Sequence, residues 1–153
     1  MEGYLRNLSE TGRLGKIIGS VLRVGDLIAL TGPLGAGKTT LTRGIAAGTQ
    51  SLAEVKSPSF TLMRVYPGRI TLFHLDVYRL RDASEVEGLA VEEYLQEGAV
   101  ILEWADKVAA WLPEDGLWVE LSPLEKIDER WVHLTARGAR GAALLTEVAQ
   151  RWP

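Results

Sequence analysis

The chain has 153 residues, of which 46% are hydrophobic and 24% charged, and its net charge at pH 7 is −3. This composition is typical of a globular domain, and the negative charge excludes a general attraction to DNA, RNA or anionic membranes. The absence of cysteine excludes disulfides and thiolate chemistry, and neither a signal-peptide core nor an apolar run of about 18 residues is present. We therefore expect a single cytoplasmic domain over residues 1–153 that contacts neither membrane nor DNA.

The first third of the chain has the apolar pattern of a helix, a strand and a second helix. Apolar residues at helical spacing predict an amphipathic helix over 14–22, which Gly25 can terminate. The apolar run at 27–31 predicts a buried strand. A second helix is expected from about Thr39 to Ala47, because Gly48 follows it.

The next two apolar segments predict a β-hairpin. They span 60–66 and 70–76 and flank the turn residues Pro67-Gly68-Arg69. The remaining predicted elements are short helical turns over 83–96, a strand over 99–102, a helix that Pro113 ends, strands over 117–121 and 132–136, and a closing helix over 144–152.

This order of elements indicates the fold class. Strands that alternate with helices predict an α/β domain around a central sheet. The hairpin requires an antiparallel pair, so the sheet is expected to be mixed but mainly parallel. The expected architecture is a P-loop NTPase-like three-layer sandwich that binds its ligand at the carboxyl ends of the strands.

The segment after the strand at 27–31 carries the most specific motif. Residues 32–39 match the spacing G-x-x-x-x-G-K-[ST], with Lys38 and Thr39 at the last two positions. In such a loop the backbone N–H groups face phosphate oxygens, the lysine reaches the outer phosphates and the hydroxyl binds Mg²⁺. The alternative is a strand-to-helix turn that binds nothing. We interpret the segment as a nucleotide site with contacts from Gly32, Leu34, Gly35, Ala36, Gly37, Lys38, Thr39 and Thr40.

Two carboxylates stand where predicted strands end, and hydrolysis needs such groups for the metal and for water. Glu103 follows the strand over 99–102, and Asp76 ends the second hairpin strand. If both strands run parallel to the first, the two side chains reach the edge of the sheet that carries the loop. We favour Glu103 as the Mg²⁺ partner and Asp76 as a metal-shell or water-orienting group. The alternatives are an ordinary surface carboxylate and a capping aspartate.

Three further features have two interpretations each. His74 shares a strand face with Asp76, so it is either functional, as a proton carrier or as a partner that orients that carboxylate, or an ordinary core histidine, which we favour. Thr61 and Ser59 belong to a hydroxyl-rich turn that either senses the terminal phosphate or caps the strand. Trp104 either packs over the site or belongs to the core.

Together these motifs resemble the TsaE (YjeE-like) family of small P-loop ATPases, which act in forming the threonylcarbamoyladenosine modification of tRNA. The resemblance covers most of the chain. It rests on the phosphate loop, on Ser57-Pro-Ser-Phe-Thr-Leu62, on His74-Leu-Asp-Val-Tyr-Arg-Leu80 and on Glu103-Trp104. The loop alone is shared by many families, but this combination is specific.

The resemblance implies roles for residues and partners. ATP and Mg²⁺ are expected at Lys38 and Thr39, with help to the metal from Glu103, hydrolytic roles for Asp76 and Thr61, and the adenine end near Thr11. The family works with the TsaB and TsaD proteins, so a TsaB–TsaD-type complex is the expected partner, and tRNA is contacted only indirectly or weakly. The ATPase is thought to reset that complex between turnovers without transferring the carbamoyl group itself.

The sequence also departs from the family pattern. Pro33 stands where an acidic residue is usual, Ser59 replaces the commoner threonine, and Ala105-Asp106 replaces Pro-Glu. The expected function is slow, Mg²⁺-dependent ATP hydrolysis coupled to turnover of the modifying complex. Two alternatives remain: a small-molecule kinase, for which the chain leaves little room for an acceptor pocket and lid, and a non-catalytic nucleotide-dependent scaffold.

Overall fold

The computed structural model describes residues 1–58 and 63–153, and these form a seven-stranded sheet with helices on both faces. The elements are, in chain order, β1 Glu2–Leu5, α1 Leu8–Val21, β2 Leu27–Thr31, α2 Lys38–Gly48, β3 Met63–Tyr66, β4 Thr71–Asp76, α3 Val91–Glu97, β5 Gly98–Glu103, β6 Gly116–Pro123, β7 Arg130–Arg137 and α4 Gly138–Arg151. Two 3₁₀ segments, Ala83–Leu89 and Ala105–Trp111, flank α3 and β5. None of the helices in the described ranges is both long and apolar enough to span a membrane.

The strands follow the order β1-β7-β6-β2-β5-β4-β3 across the sheet. β2 pairs in parallel with β5 and with β6, and β4 pairs in parallel with β5. The pairs β1–β7, β6–β7 and β3–β4 are antiparallel, so only β3 and β7 run against the other five strands. The predicted mixed, mainly parallel sheet and its hairpin are therefore confirmed, although positions 59–62 of the first hairpin strand lie outside the described residues.

Two apolar layers cover the sheet, because strand side chains alternate between its faces. On one face, Ile28, Leu30 and Ile101 pack against α1, α2 and α4. On the other face, Leu27, Ala29 and Val100 pack against α3 and the 3₁₀ segments. The predicted three-layer arrangement is thus present, with the central strands buried on both sides.

Helices α1 and α2 cross with their backbones in contact. A Cβ atom on Gly15 would lie 2.3 Å from the carbonyl oxygen of Leu41, and one on Gly44 would lie 2.2 Å from that of Gly12. Only glycine permits such an approach. The crossing holds α2, which begins immediately after residue 37, firmly against the sheet.

The structure differs from the sequence prediction at four elements, and one of them is α4, which begins at Gly138 and not at residue 144. Strand β1 was not predicted; it is short and edge-paired, and only Leu5 is fully buried. Helix α1 begins at Leu8, earlier than predicted, because Asn7 caps it by accepting from the N–H of Glu10 at 2.9 Å. The helix predicted before Pro113 is instead a 3₁₀ segment that is interrupted at Val108.

Candidate functional site

The loop between β2 and α2 forms a compact curl at the carboxyl edge of the sheet. The N–H of Ala36 donates to the carbonyl of Pro33 at 3.1 Å, and the N–H of Leu41 donates to that of Gly37 at 3.0 Å. Gly37 precedes α2 with φ +100°, a left-handed conformation that favours glycine. The positive end of an 11-residue helix therefore faces the loop interior, an arrangement that favours anions.

A cavity of about 310 Å³ opens over this loop. Its volume is at the lower end of the range for small-molecule sites. Of the predicted site residues, those on its wall are Leu34, Gly35, Ala36, Gly37, Lys38, Thr39, Thr40, Asp76 and Glu103. The remaining wall residues are Leu8, Ser57, Tyr78, Trp104 and Arg130.

Lys38 lies inside the site with its ammonium group held by neutral partners. Its Nζ donates to the carbonyl of Gly32 at 2.5 Å and lies 3.6 Å from the centre of the Trp104 ring. Burial lowers the pKa of Lys38, while the charges of Glu103 and Asp76 act in the opposite direction. The residue is 7% exposed, so an incoming phosphate would meet a charge that is already partly desolvated.

Asp76 and Glu103 are register partners at the ends of the parallel strands β4 and β5. They are 5% and 3% exposed, and Asp76 accepts a hydrogen bond from the N–H of Tyr78 at 2.8 Å. Burial raises the pKa of Asp76 and the charge of Glu103 raises it further, whereas the Tyr78 N–H and the charges of His74 and Lys38 lower it. Both strands run parallel to β2, the condition that the sequence left open, and this brings the two carboxylates to the edge that carries the loop.

These oxygen ligands fit Mg²⁺. Two adjacent buried carboxylates repel each other, and a divalent cation between them and the Thr39 hydroxyl would relieve that repulsion. In residues 1–58 and 63–153, no group of three or more His, Cys, Asp or Glu side chains is placed to hold a metal ion. That agrees with Mg²⁺, which uses one or two protein carboxylates and takes its other ligands from water and phosphate.

His74 is fully buried and bonds Glu103 rather than Asp76. Its Nε2 lies 3.0 Å from Glu103 Oε2, and its Nδ1 lies 2.9 Å from the Tyr66 hydroxyl oxygen. An ionised carboxylate only accepts, so Nε2–H of His74 donates to Glu103. The Tyr66 hydroxyl has one proton and two acceptors within reach, the Nδ1 of His74 and the carbonyl of Lys56 at 2.9 Å. His74 is thus a core histidine with satisfied hydrogen bonds, as favoured, and it also fixes the orientation of Glu103.

Arg130 is a buried, charged residue of this site that the sequence analysis missed. It begins β7 and is 7% exposed, and its Nε and Nη2 donate to the carbonyls of Ala36 and Gly35 at 2.7 and 2.9 Å. The alternation of the strand could have identified it, because Arg130 lies on the same inward-facing side of β7 as Val132 and Leu134. An arginine at a buried position of an alternating strand requires polar partners.

Three predicted positions contribute differently or lie outside the described residues. Thr11 is fully buried behind the loop, where its hydroxyl contacts the Asn7 carbonyl at 3.4 Å, so its proximity to adenine stays a prediction. Thr61 and Ser59 lie outside the described residues, and their roles also stay predictions. Trp104 does pack at the site, over Lys38.

Comparisons with known proteins agree on one family. The family model "Threonylcarbamoyl adenosine biosynthesis protein TsaE" matches residues 5–132. The chain is 38% identical over 146 residues to the tRNA threonylcarbamoyladenosine biosynthesis protein TsaE of Bacillus subtilis, which covers 94% of this chain and 90% of that protein. Identity to the protein of the same name from Treponema pallidum is 38% over 120 residues, or 78% of this chain and 89% of that one. The crystal structure of Bacillus subtilis YdiB superposes with a TM-score of 0.84 at 32% identity, covering 98% of this chain and 94% of that chain.

Proposed function

This chain belongs to the TsaE family of tRNA threonylcarbamoyladenosine biosynthesis proteins, and from that premise we propose that it binds ATP with Mg²⁺ and hydrolyses it slowly. One observation carries the proposal: two buried carboxylates on adjacent parallel strands face the same cavity as a phosphate-binding loop. A loop that only closes a turn has no need of two such carboxylates, whose burial costs free energy.

The loop and the start of α2 supply the binding groups. Backbone N–H groups between Gly32 and Thr40 cradle the inner phosphates, and the N-terminus of α2 adds its partial positive charge. When the nucleotide binds, the Lys38 ammonium group leaves the Gly32 carbonyl and donates to the outer phosphates, whose negative charge neutralises it. Mg²⁺, held by Thr39 and Glu103, would neutralise charge on the phosphates.

The two carboxylates have different surroundings that suit different roles. Glu103 is fixed by His74, which favours a static role in holding the metal directly or through water. Asp76 has only the Tyr78 N–H as a bonded partner in the described residues, and its raised pKa suits it to accept a proton from water. A water molecule oriented by Asp76 attacks the γ-phosphorus, and the bond from phosphorus to the bridging oxygen of ADP breaks.

We expect slow turnover by the isolated chain, because the arginine on the cavity wall is already hydrogen-bonded. Arg130 lines the cavity, but its guanidinium already donates to four main-chain carbonyls and is not free to reach a transferring phosphate. We therefore propose that a TsaB–TsaD-type complex completes the site, and that hydrolysis resets this complex between turnovers. With a net charge of −3, the chain contacts tRNA indirectly or weakly.

The test is phosphate release by the purified chain, alone and with its partner complex, compared with Lys38→Ala. The substitution removes the charge that binds the outer phosphates, so we expect release to fall by at least about 100-fold. Equal release by both proteins would refute the ATPase assignment. Multiple-turnover tRNA modification that persists with Glu103→Gln despite lost hydrolysis would instead support a scaffold.

A further inference from the structure

We propose that Arg130 is a positioning residue of the nucleotide site, which aims the Gly37 amide of the loop at the two phosphates that ADP and ATP share. The inference rests on the proposed nucleotide binding and extends it. It assigns the recognition of the inner phosphates partly to a strand that lies far from the loop in sequence.

Arg130 joins two segments through a forked set of hydrogen bonds. Towards the loop, Nε and Nη2 donate to the carbonyls of Ala36 and Gly35. Towards the β6–β7 turn, Nη1 donates to the carbonyls of Ile127 and Glu129 at 2.7 and 2.8 Å. All four acceptors are main-chain oxygens, so the contacts fix backbone geometry and not the position of another side chain.

Because the peptide unit is planar, a hydrogen bond that fixes its carbonyl oxygen also fixes the direction of its N–H. In a trans peptide the C=O and the N–H of one unit point in opposite directions. The Ala36 carbonyl belongs to the same unit as the Gly37 N–H, so holding the carbonyl against Arg130 directs that N–H to the opposite side. The Gly37 N–H has no acceptor within the described residues, whereas the Ala36 N–H already donates to Pro33. The Gly37 amide is therefore available for a phosphate.

The charge of Arg130 also points to an anionic ligand. No carboxylate in residues 1–58 or 63–153 forms an ion pair with it, although it is almost fully buried. Arg140 gives the contrast, because it pairs with both Asp26 and Glu147. Arg130 thus leaves an unbalanced positive charge directly behind the loop, and the phosphates would compensate it.

The experiment compares two exchanges of arginine for lysine, Arg130→Lys and Arg140→Lys, together with Arg130→Met. Binding of ADP and of ATP is measured by calorimetry, and thermal unfolding is recorded for each variant. A lysine keeps the charge but cannot reproduce the fork, so we expect Arg130→Lys to weaken both nucleotides by several-fold, and Arg130→Met by about tenfold or more. Arg140→Lys should lower the thermal midpoint and leave both affinities within about twofold.

Three results would overturn the inference: unchanged ADP affinity in a folded Arg130 variant, weakening of ATP alone, or equal weakening by Arg140→Lys. If Arg130→Met does not fold, Arg130→Lys decides the matter, because it retains the buried charge and the aliphatic stem. The ADP measurement needs no hydrolysis. A wild-type chain that binds ADP but releases no phosphate would therefore end the ATPase proposal and leave this inference standing.

Discussion

Asp76 and Glu103 lie side by side at the ends of the adjacent strands β4 and β5, but they have different hydrogen-bond partners. His74 bonds Glu103 and links it through Tyr66 to the backbone at Lys56, immediately before the segment that begins at Ser57. Asp76 has no such support, and its burial is costly in the nucleotide-free protein. The site therefore keeps one carboxylate rigid and leaves the other with a charge that a ligand or metal would stabilise further.

The raised pKa of Asp76 predicts how stability depends on pH. Above the ordinary aspartate pKa, the folded protein retains this proton longer than the unfolded chain does, so stability falls as pH rises through the interval up to the raised pKa. Asp76→Asn removes the charge and keeps an oxygen for the Tyr78 N–H. At pH 7 without nucleotide, we expect it to stabilise the protein by roughly 0.5–2 kcal/mol, and to reduce hydrolysis by about 100-fold or more.

Urea unfolding of both proteins at acid and neutral pH measures the effect. The difference in the free energy of unfolding between Asp76→Asn and the wild type should increase as the pH rises, because only the wild type acquires the buried charge. Asp106→Asn is the matched control, since Asp106 is an exposed aspartate near the same lysine. A difference that is independent of pH, or equal in the control, contradicts the assignment.

Single residues of the site were predictable to the extent that local sequence encodes them. The loop over 32–40 is contiguous, so its spacing alone identifies it, and Asp76 and Glu103 are recognisable as strand ends. Arg130 contacts a residue 94 positions earlier in the chain, and no local pattern encodes such a pairing. The partner of His74 was missed for the same reason, because it lies on the adjacent strand β5 and not on the residue's own strand.

At the scale of elements, an ion pair joins β2 to α4 at the edge of the sheet opposite the nucleotide site. Arg140, in the first turn of α4, donates from Nε and Nη2 to the two oxygens of Asp26, each at 2.8 Å. Asp26 is buried and immediately precedes β2. The pair fixes α4 against the strand that leads into the phosphate loop.

Removing one partner of this pair should be strongly destabilising. Arg140→Met leaves the buried Asp26 carboxylate without its charge partner, and we expect a loss of about 3–5 kcal/mol in the free energy of unfolding. Arg137→Met is the comparison, because Arg137 is exposed and its guanidinium lies over the Trp118 ring, so its loss should cost under about 1 kcal/mol. Urea unfolding of the two variants gives both values, and similar losses would show that the pair does not stabilise the fold.

Some of the helices and strands are easier to predict from their local sequence than others. Strands β2, β5, β6 and β7 were found because their apolar runs or alternations are long. Residues 8–13 of α1 were missed because they are largely polar, and the start of the helix depends on the Asn7 cap. Strand β1 exists only through its pairing with β7, a long-range interaction that four residues cannot reveal.

At the scale of the whole molecule, the cavity is the place where distant segments meet. Its wall combines the start of α1, the loop after β2, Ser57, the ends of β4 and β5, and the start of β7. A nucleotide bound there would hold together parts of the chain that span most of its length. Binding should therefore stabilise the fold as a whole and not only the loop.

We expect a non-hydrolysable ATP analogue with Mg²⁺ to stabilise the protein against heat. At a ligand concentration of about 100 times Kd, linkage gives about 2.7 kcal/mol, which corresponds to a rise of roughly 5–10 °C in Tm for a chain of this size. If residues 1–153 form one domain, a single cooperative transition should move. Differential scanning calorimetry with and without Mg²⁺ measures this.

Two variants separate the contributions to this shift. Lys38→Ala should lose most of it, because the charge that binds the outer phosphates is gone. Asp76→Asn should keep the nucleotide-dependent part and lose part of the additional shift that Mg²⁺ produces, since one of the two repelling carboxylates is no longer charged. If Lys38→Ala shifts as much as the wild type, the analogue binds elsewhere. If Mg²⁺ adds the same shift in Tm to Asp76→Asn as to the wild type, the charge of Asp76 does not help to hold the ion.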